Sequence, residues 1–397
     1  NTNVLRDGSE QDANVSALDI SIFDKNNRFN VMLKPKFSKI FNNQGGSEGF
    51  ANYIKLGKVS GKLRYNITNE IYSHTYNPND LGFLYNPNQV YNKASISYHI
   101  NEPTNKLLRQ EYGFDASQSY LYKPFVYQDT ELNLYGYWWL RNFWDMRLTL
   151  GTIPFWFNDY FEMQTPGSIY ATPRQNLKRA PQYYVFFEGS SDSRKKLFFS
   201  WNFQFAEGPL ANDPYTQLEL SARYRFSDKL NLSGTISRRH DNGQFGYAFA
   251  RINGNPLLAR REYTDMTGII SGIYNFNSRL NLTFRARHFW NRILNTNIYD
   301  VLPDGNWTER TDRDPSDYND NYNAFNVDVF LTWDFSLGSR IVLGWKNWLG
   351  MDYEYLINGS QYHNYIRNAG QVFATPHGND ISLRFIYFLD FTRFSRK

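Results

Sequence analysis

Residues 226–232 read Phe-Ser-Asp-Lys-Leu-Asn-Leu, and fifty positions later residues 276–282 read Phe-Asn-Ser-Arg-Leu-Asn-Leu. Segments in which apolar and polar residues alternate flank both of these short polar turns. Before the first turn, for example, Leu218 and Leu220 alternate with Glu219. Because successive side chains of a strand point to opposite faces, the pattern predicts antiparallel strands with one apolar face and one polar, charged face.

Two fold classes fit this alternation, and composition favours one of them. A soluble β-sandwich buries its apolar face against a second sheet, whereas a transmembrane β-barrel turns that face to lipid. The chain has 18% Phe, Tyr and Trp, no Cys and a mean hydropathy of -0.62. Without any run near the ~20 apolar residues that a spanning helix needs, a barrel remains the way to cross a membrane. The composition therefore favours an all-β transmembrane barrel, with a soluble chain of several β-sandwich domains as the alternative.

The alternation continues along nearly the whole chain, which predicts one domain over residues 1–397. A globular chain of this length would normally divide into two or three domains, but no linker composition marks a boundary. Seventeen strands are recognised by inspection, from 13–24 to 378–394 and including a long segment at 307–335. Since single-chain bacterial barrels usually have an even number, either one of these strands is assigned wrongly or a further strand precedes Asn1. The loop-like start of the first segment favours the upstream strand, and we expect 16 to 18 strands.

Loop lengths predict which end of the barrel faces which compartment. Short turns such as 227–229 and 277–279 alternate with long polar stretches at 154–181, 300–320 and 351–378. Outer-membrane barrels have short periplasmic turns and long extracellular loops. The pattern therefore predicts an up-and-down barrel in a Gram-negative outer membrane, with its short turns in the periplasm and lipid as its surroundings.

An apolar outer face leaves a charged set of side chains for the lumen. The basic members are Lys62, Arg64, Lys93, Arg147, Arg223, Arg225, Arg285, Arg287, Lys346 and Arg384. Opposing them are Glu70, Glu131, Glu188, Glu219, Asp328, Asp334 and Asp390. A basic lumen would concentrate anions or acidic polymers. Alternatively, these charges pair across strands and hold a polar interior together.

Aromatic residues give two further predictions. The first is an aromatic girdle at the membrane interface, where amphipathic rings settle; its members are Phe143, Trp144, Phe226, Phe276, Phe335 and Phe391.

The second concerns the segment 155–179, which is too apolar for a solvated loop and contains Phe155, Trp156, Phe157, Tyr160, Phe161 and Met163. In a barrel wide enough for a water channel, this segment could constrict the lumen, cap it or contact a partner.

Signals for catalysis and metal binding are weak. Residues 45–49 match the Gly-x-Ser-x-Gly pattern around Ser47, but a nucleophile elbow needs a strand before it and a helix after it. The six His residues have no metal-ligand spacing, and the acidic run from Asp312 to Asp320 lacks the order of a calcium loop. The formal charge of +5 is spread out rather than clustered. We therefore expect no enzyme activity, cofactor, metal or nucleic-acid partner.

Several segments resemble a known family. They are residues 77–84, 271–291 (SGIYNFNSRLNLTFRARHFWN), 325–347 (FNVDVFLTWDFSLGSRIVLGWKN) and 379–390 (NDISLRFIYFLD). They resemble the C-terminal barrel region of an uncharacterised outer-membrane family. In that family a periplasmic module similar to family-9 carbohydrate-binding domains precedes the barrel. The resemblance implies a barrel without catalytic residues, and an odd strand count is expected if such a module, absent from this sequence, leads into the first strand.

Three functions remain open at this point. The barrel is a pore, or the membrane anchor of a periplasmic module, with its cargo unassigned. It is alternatively a scaffold or accessory subunit that contacts other outer-membrane or periplasmic proteins. The third and weakest hypothesis is an outer-membrane hydrolase that uses Ser47.

Overall fold

The computed structural model describes residues 2–5, 11–41, 46–84, 86–163, 176–208, 213–350, 356–357, 360–361 and 365–389. Its helical segments are α1 (Tyr365–Gln371) and two 3-10 helices, Pro315–Tyr318 and Val372–Ala374. The strands are β1 (Thr2–Val4), β2 (Asp12–Ala17), β3 (Ile20–Phe23), β4 (Phe29–Leu33), β5 (Lys36–Phe41), β6 (Ser47–Lys58), β7 (Leu63–Tyr72), β8 (Gln89–Ile100), β9 (Leu107–Leu121), β10 (Tyr127–Leu140), β11 (Asp145–Ile153), β12 (Phe157–Asp159), β13 (Leu177–Arg179), β14 (Gln182–Ser190), β15 (Leu197–Glu207), β16 (Tyr215–Arg225), β17 (Leu230–Ile252), β18 (Asn255–Asn275), β19 (Leu280–Val301), β20 (Trp307–Arg310), β21 (Asp320–Ser336), β22 (Ser339–Leu349), β23 (Leu356–Ile357), β24 (Ser360–Gln361) and β25 (His377–Ile386). No helix within these ranges is long and apolar enough to span a membrane.

The large sheet is an antiparallel up-and-down meander. β2 and β3 form one interrupted strand, and so do β4 and β5, where Pro35 has no N–H to offer the ladder. Leaving aside β20, a short addition to β19, the described residues of this sheet hold seventeen successive strands from β2 to β25. β1 lies antiparallel beside β2 as an eighteenth. The all-β, up-and-down prediction is confirmed, and the count agrees with the expected 16 to 18.

Side-chain exposure identifies the two faces of the sheet. In β16, Leu218 and Leu220 are 44% and 47% exposed, whereas Glu219 and Ser221 on the other face are more sheltered. Leu220 lies opposite Trp201 of β15, so the apolar row continues from strand to strand. A soluble protein would bury this row and expose the polar one. The reverse arrangement is that of an outer-membrane β-barrel, and we name the apolar side the outer face and the polar side the lumen face.

The two repeated turns close in the same way. Ser227 Oγ accepts hydrogen bonds from the N–H groups two and three residues further on, at 3.2 and 3.1 Å. Asn277 Oδ1 accepts the equivalent pair at 2.8 and 3.0 Å. In each turn the N–H of the preceding Phe226 or Phe276 also donates to the leucine carbonyl that starts the next strand, at 3.0 Å. The repeated sequence is therefore a repeated turn structure.

Two of the predicted segments need correction. The predicted strand 307–335 is interrupted: β20 folds back onto β19, and a 3-10 helix separates it from β21. Asp314 starts this helix by accepting a hydrogen bond from the N–H of Ser316 at 2.9 Å, and Pro315 favours the helical start. The predicted last strand, 378–394, ends at Ile386, and its residues from 390 onward lie outside the described ranges.

The two faces of β16 give a direct test of the barrel. We expect Leu220→Arg to impair assembly, because an Arg on the lipid side near mid-membrane costs about 2 to 4 kcal/mol. Ser221→Arg places the same group on the lumen face, and we expect it to be tolerated. Heat-modifiable gel mobility of outer-membrane fractions measures the folded barrel. Equal loss of folded protein in both variants would mean that the faces are assigned wrongly.

The turns give a second test. Asn277→Ala removes the acceptor of two backbone hydrogen bonds, and each such bond contributes about 0.5 to 1.5 kcal/mol. We expect the free energy of unfolding in urea, measured in lipid vesicles, to fall by about 1 to 3 kcal/mol for the two bonds together. Asp228→Ala removes an exposed side chain of the other turn and serves as the control. No difference between the two variants would contradict the role given to Asn277.

Candidate functional site: the lumen and its extracellular mouth

Register places most of the predicted basic residues on the lumen face. Arg147 of β11 lies opposite Glu188, and Arg223 of β16 lies on the same face as Glu219. By the same alternation, the lumen face also carries Arg64, Lys93, Arg225, Arg285, Arg287, Lys346 and Arg384. Lys62 precedes β7, in the turn at the periplasmic rim. Among the acidic residues, Asp390 lies outside the described ranges.

These basic groups have local partners. Lys93 Nζ lies 3.1 Å from Asp115 Oδ2, and Arg285 Nη2 lies 3.3 Å from Asp328 Oδ2 on the adjacent strand. The Arg147 guanidinium lies 4.3 Å from the centroid of Tyr135. Further contacts of this kind join Lys62 to Glu102, Arg223 to Phe198 and Arg287 to Asn326. Three of these basic groups, Lys62, Lys93 and Arg285, are paired with carboxylates, and Arg147, Arg223 and Arg287 contact neutral rings or an amide oxygen. Local contacts between neighbouring strands therefore hold part of the charged interior together.

Aromatic rings cluster at the periplasmic turns. Phe226 packs against Tyr224 with a centroid distance of 4.6 Å, and Phe276 against Tyr274 at 4.9 Å. The other predicted members pack with neighbours in the same way: Phe143 with Trp139, Trp144 with Phe199, and Phe335 with Phe385. Phe226 and Phe276 are 52% and 45% exposed, so their rings are available to lipid headgroups. Phe391 lies outside the described residues.

The segment 155–179, described at 155–163 and 176–179, folds over the extracellular end of the sheet. Its strands β12 and β13 pair with each other, and Asn158 Nδ2 donates to the carbonyl of Tyr127 on β10 at 3.1 Å. Its far side reaches β17, where the N–H of Tyr247 donates to Glu162 Oε1 at 2.8 Å. Met163 packs in an apolar cluster with Leu177, Phe245, Tyr247 and Leu258. The segment therefore contacts both β10 and β17, and its Glu162 and Arg179 line a cavity together with lumen-facing residues such as Glu131 and Asp241.

One arginine joins the parts of this crossing. Arg179 donates from Nε to Asp159 Oδ2 at 3.0 Å and from Nη2 to Glu162 Oε2 at 3.1 Å. Its Nη1 donates to the carbonyl of Phe245 on β17 at 2.8 Å. The sequence-based list of aromatic residues missed this clamp. The available signal was the presence of charged residues inside an otherwise aromatic segment, since a charge retained there needs a partner.

A cavity of about 480 Å³ lies between this segment and the lumen face. Its walls carry the carboxyl groups of Asp129, Glu131, Glu162, Asp213 and Asp241. Burial raises the pKa of Asp213, in the loop before β16, above its ordinary value. Acidic groups outnumber Arg179, the basic residue of the lining, so this cavity has an acidic lining. Of its carboxyl groups, the sequence-based prediction contained Glu131.

Within the described ranges, the residues behind the weak catalytic and metal signals have ordinary structural roles. Ser47 is the first residue of β6, which continues as a strand rather than turning into a helix, and Gly45 lies outside the described residues. In the acidic loop, Asp312 pairs with Arg310 at 2.9 Å and Asp314 caps a 3-10 helix. The described ranges contain no group of three or more His, Asp or Glu side chains placed to hold a metal ion.

The whole sequence, residues 1–397, matches the family described as "Domain of unknown function (DUF5916)". The chain belongs to the DUF5916 family. No curated protein matches the sequence. The carbohydrate-binding module that the sequence resemblance implied remains a prediction for DUF5916 proteins.

Solved structures with similar folds include two receptors. The siderophore receptor PirA from Acinetobacter baumannii is 10% identical, with a TM-score of 0.49 over 89% of this chain and 61% of its own. A mutant of the ferric enterobactin receptor PfeA from Pseudomonas aeruginosa, in complex with enterobactin, is 9% identical, with a TM-score of 0.45 over 96% of this chain and 71% of its own. This DUF5916 chain thus spans less than two thirds of the length of PirA.

The clamp can be tested by its effect on the segment. Arg179→Ala removes three hydrogen bonds, two of them to carboxylates, which individually contribute about 1.5 to 3 kcal/mol. We expect faster proteolysis within 155–179 in the folded barrel. Arg194→Ala removes the exposed partner of Asp192 in a periplasmic turn, at the other end of the sheet, and is the matched control. Unchanged cleavage in Arg179→Ala would show that other contacts hold the segment.

Proposed function

We propose that the protein is an integral β-barrel of the bacterial outer membrane whose lumen is a water-filled pore narrowed by the segment 155–179. The membrane location is supported by the exposed apolar outer face and by the aromatic rings at the short turns. A sheet of seventeen or more strands supports a pore, because barrels of about 16 to 18 strands are wide enough to leave an aqueous channel. The cargo is left unassigned.

The single observation that carries the pore is the crossing of the segment from β10 to β17. A segment held by Arg179 on the lumen side reduces the open area at the extracellular mouth. A barrel that serves only as an anchor has no need of a clamp at that position. An anchor or a scaffold would leave the barrel without conductance, and bilayer recording distinguishes these functions from a pore.

The acidic cavity sets the expected ion preference. Ions that pass under the segment meet Glu131, Asp241 and the other carboxyl groups of the cavity. Deeper in the lumen, Arg285 pairs with Asp328 and Lys93 with Asp115, which lowers the net positive charge there. Fixed negative charge at a constriction concentrates cations. We therefore propose a preference for cations, opposite to the anion preference that the basic residues alone predict.

Planar-bilayer recording tests the pore. We expect Arg179→Ala to conduct more per channel than the wild type, because release of the segment widens the mouth, while Arg194→Ala should match the wild type. We expect a cation-to-anion permeability ratio above one, reduced in the double variant Glu131→Gln, Asp241→Asn. Absence of conductance in both the wild type and Arg179→Ala, with folded barrel in the bilayer, would reject the pore and favour an anchor or scaffold. A ratio below one would reject the assigned selectivity.

A further inference from the structure

A groove of about 820 Å³ runs across the outer face of β16 to β19. Small residues on four neighbouring strands form its floor: Ala222, Gly234, Gly268 and Ala286. A Cβ atom at Gly234 would have one neighbour within 4 Å, the carbonyl oxygen of Ile269 at 3.8 Å. At Gly268 it would have only Tyr365 Oη, at 3.5 Å. The floor is therefore open space over the width of several strands, on a face that otherwise carries large apolar side chains.

The helix α1 forms the upper wall of this groove. Tyr365 Oη hydrogen-bonds to His288 Nδ1 on β19 at 3.1 Å, and Asn323 Nδ2 of β21 donates to the carbonyl of Asn368 at 2.7 Å. These bonds hold α1 against the outer face, in the connection between β22 and β25 at the long-loop end. Ile366 on α1 and Phe373 just after it are 79% and 61% exposed, and they extend the apolar surface outward.

Arg238 places a cation directly above the groove. It is the next residue on the outer face of β17 after Ile236, which lines the groove, so it lies about 7 Å higher along the strand. It is exposed and makes no hydrogen bond or ion pair within the described residues. The charged residues higher on the same face are already paired: Arg292, level with His240, lies 2.7 Å from Glu262. His240, the next outer-facing residue of β17, hydrogen-bonds to Thr264 at 2.9 Å. The unbalanced charge at this position is therefore positive.

We infer that this groove binds a phosphorylated, acylated lipid of the outer leaflet, with an acyl chain in the groove and a phosphate on Arg238. This inference rests on the outer-membrane location proposed above, and not on the pore. A guanidinium offers a phosphate two parallel N–H donors, and their pairing is strongest where lipid lowers the local dielectric. A free phosphate would leave the apolar groove unused, and a neutral lipid would leave Arg238 unpaired. An anionic amphiphile would fill the groove with its acyl chain and pair its headgroup with Arg238. The long-loop end lies on the extracellular side, which selects the outer leaflet.

Native mass spectrometry of the folded barrel in detergent, with diphosphorylated lipid A as the probe, tests the inference. Gly268→Leu and Gly234→Leu fill the groove from adjacent strands, and Ala94→Leu, on the outer face of β8, is the control for adding a leucine to the lipid side. Arg238→Glu reverses the charge, and Ser237→Glu puts the same carboxylate on the lumen face of the same strand. Because a charge-assisted hydrogen bond is lost, we expect Arg238→Glu to weaken binding roughly 10- to 100-fold. Both groove-filling variants should weaken binding as well, and both controls should bind as the wild type does.

Two comparisons decide the headgroup and the class of ligand. Monophosphoryl lipid A should bind the wild type more weakly than the diphosphorylated form, and Arg238→Glu should reduce that difference. Wild-type binding in both groove-filling variants, or in Arg238→Glu, would overturn the inference. So would a protein that co-purifies with the wild type and is lost from the groove variants while lipid binding is unchanged. Heat-modifiable mobility of each variant separates these results from a failure to fold. Lipid binding without conductance would reject the pore but not the groove, whereas a wild type that does not insert would reject the membrane location itself.

Discussion

The constraint on which the structure depends is that lipid cannot hydrogen-bond a polypeptide backbone. Every N–H and C=O group at membrane depth must find its partner on a neighbouring strand. The ladder between β17 and β18 accordingly runs without a shift from Leu230 to Asn242, and its register shifts occur only above that point. Between β9 and β10 the shifts also lie near the strand ends, at Tyr127 and Trp139. In these two ladders, irregular backbone is thus confined to levels where water or headgroups can satisfy it.

This constraint explains why so much of the fold could be predicted from sequence. An uninterrupted ladder forces strict alternation, so the side of Leu220 follows from that of Leu218 without any knowledge of tertiary contacts. The turns could also be predicted, because Ser227 and Asn277 close them by hydrogen bonds to N–H groups two and three residues further on. The predicted strand 307–335 was wrong because a local helix start competes with the strand pattern. Asp314 and Pro315 start a 3-10 helix inside a segment that alternates like a strand.

The site was much less predictable, because its contacts join distant parts of the chain. Arg179 meets the carbonyl of Phe245 across 66 positions, and Glu162 meets the N–H of Tyr247 across 85. No periodicity connects such pairs, so the aromatic residues of 155–179 marked the segment but not what it contacts. A count of lumen charges from sequence cannot show which of them are paired, for a related reason. Lys93 is balanced by Asp115, a diagonal neighbour that only the register of β8 and β9 brings close.

Strand length connects the fold to both candidate sites. About 9 to 11 residues suffice for a tilted strand to cross a bilayer. β11 and β14 have 9 residues each, whereas β17, β18 and β19 have 23, 21 and 22. The strands next to the start of the segment 155–179 are therefore short, and those that the segment reaches extend well beyond the bilayer. These longer strands supply the surface that Met163 and Arg179 contact. The same strands give the barrel its open groove on the outer face, below the level where their lipid-facing residues change from Ile236 to Arg238. Extra strand length on one side of the barrel thus supports a constriction toward the lumen and places a cation toward the outer leaflet.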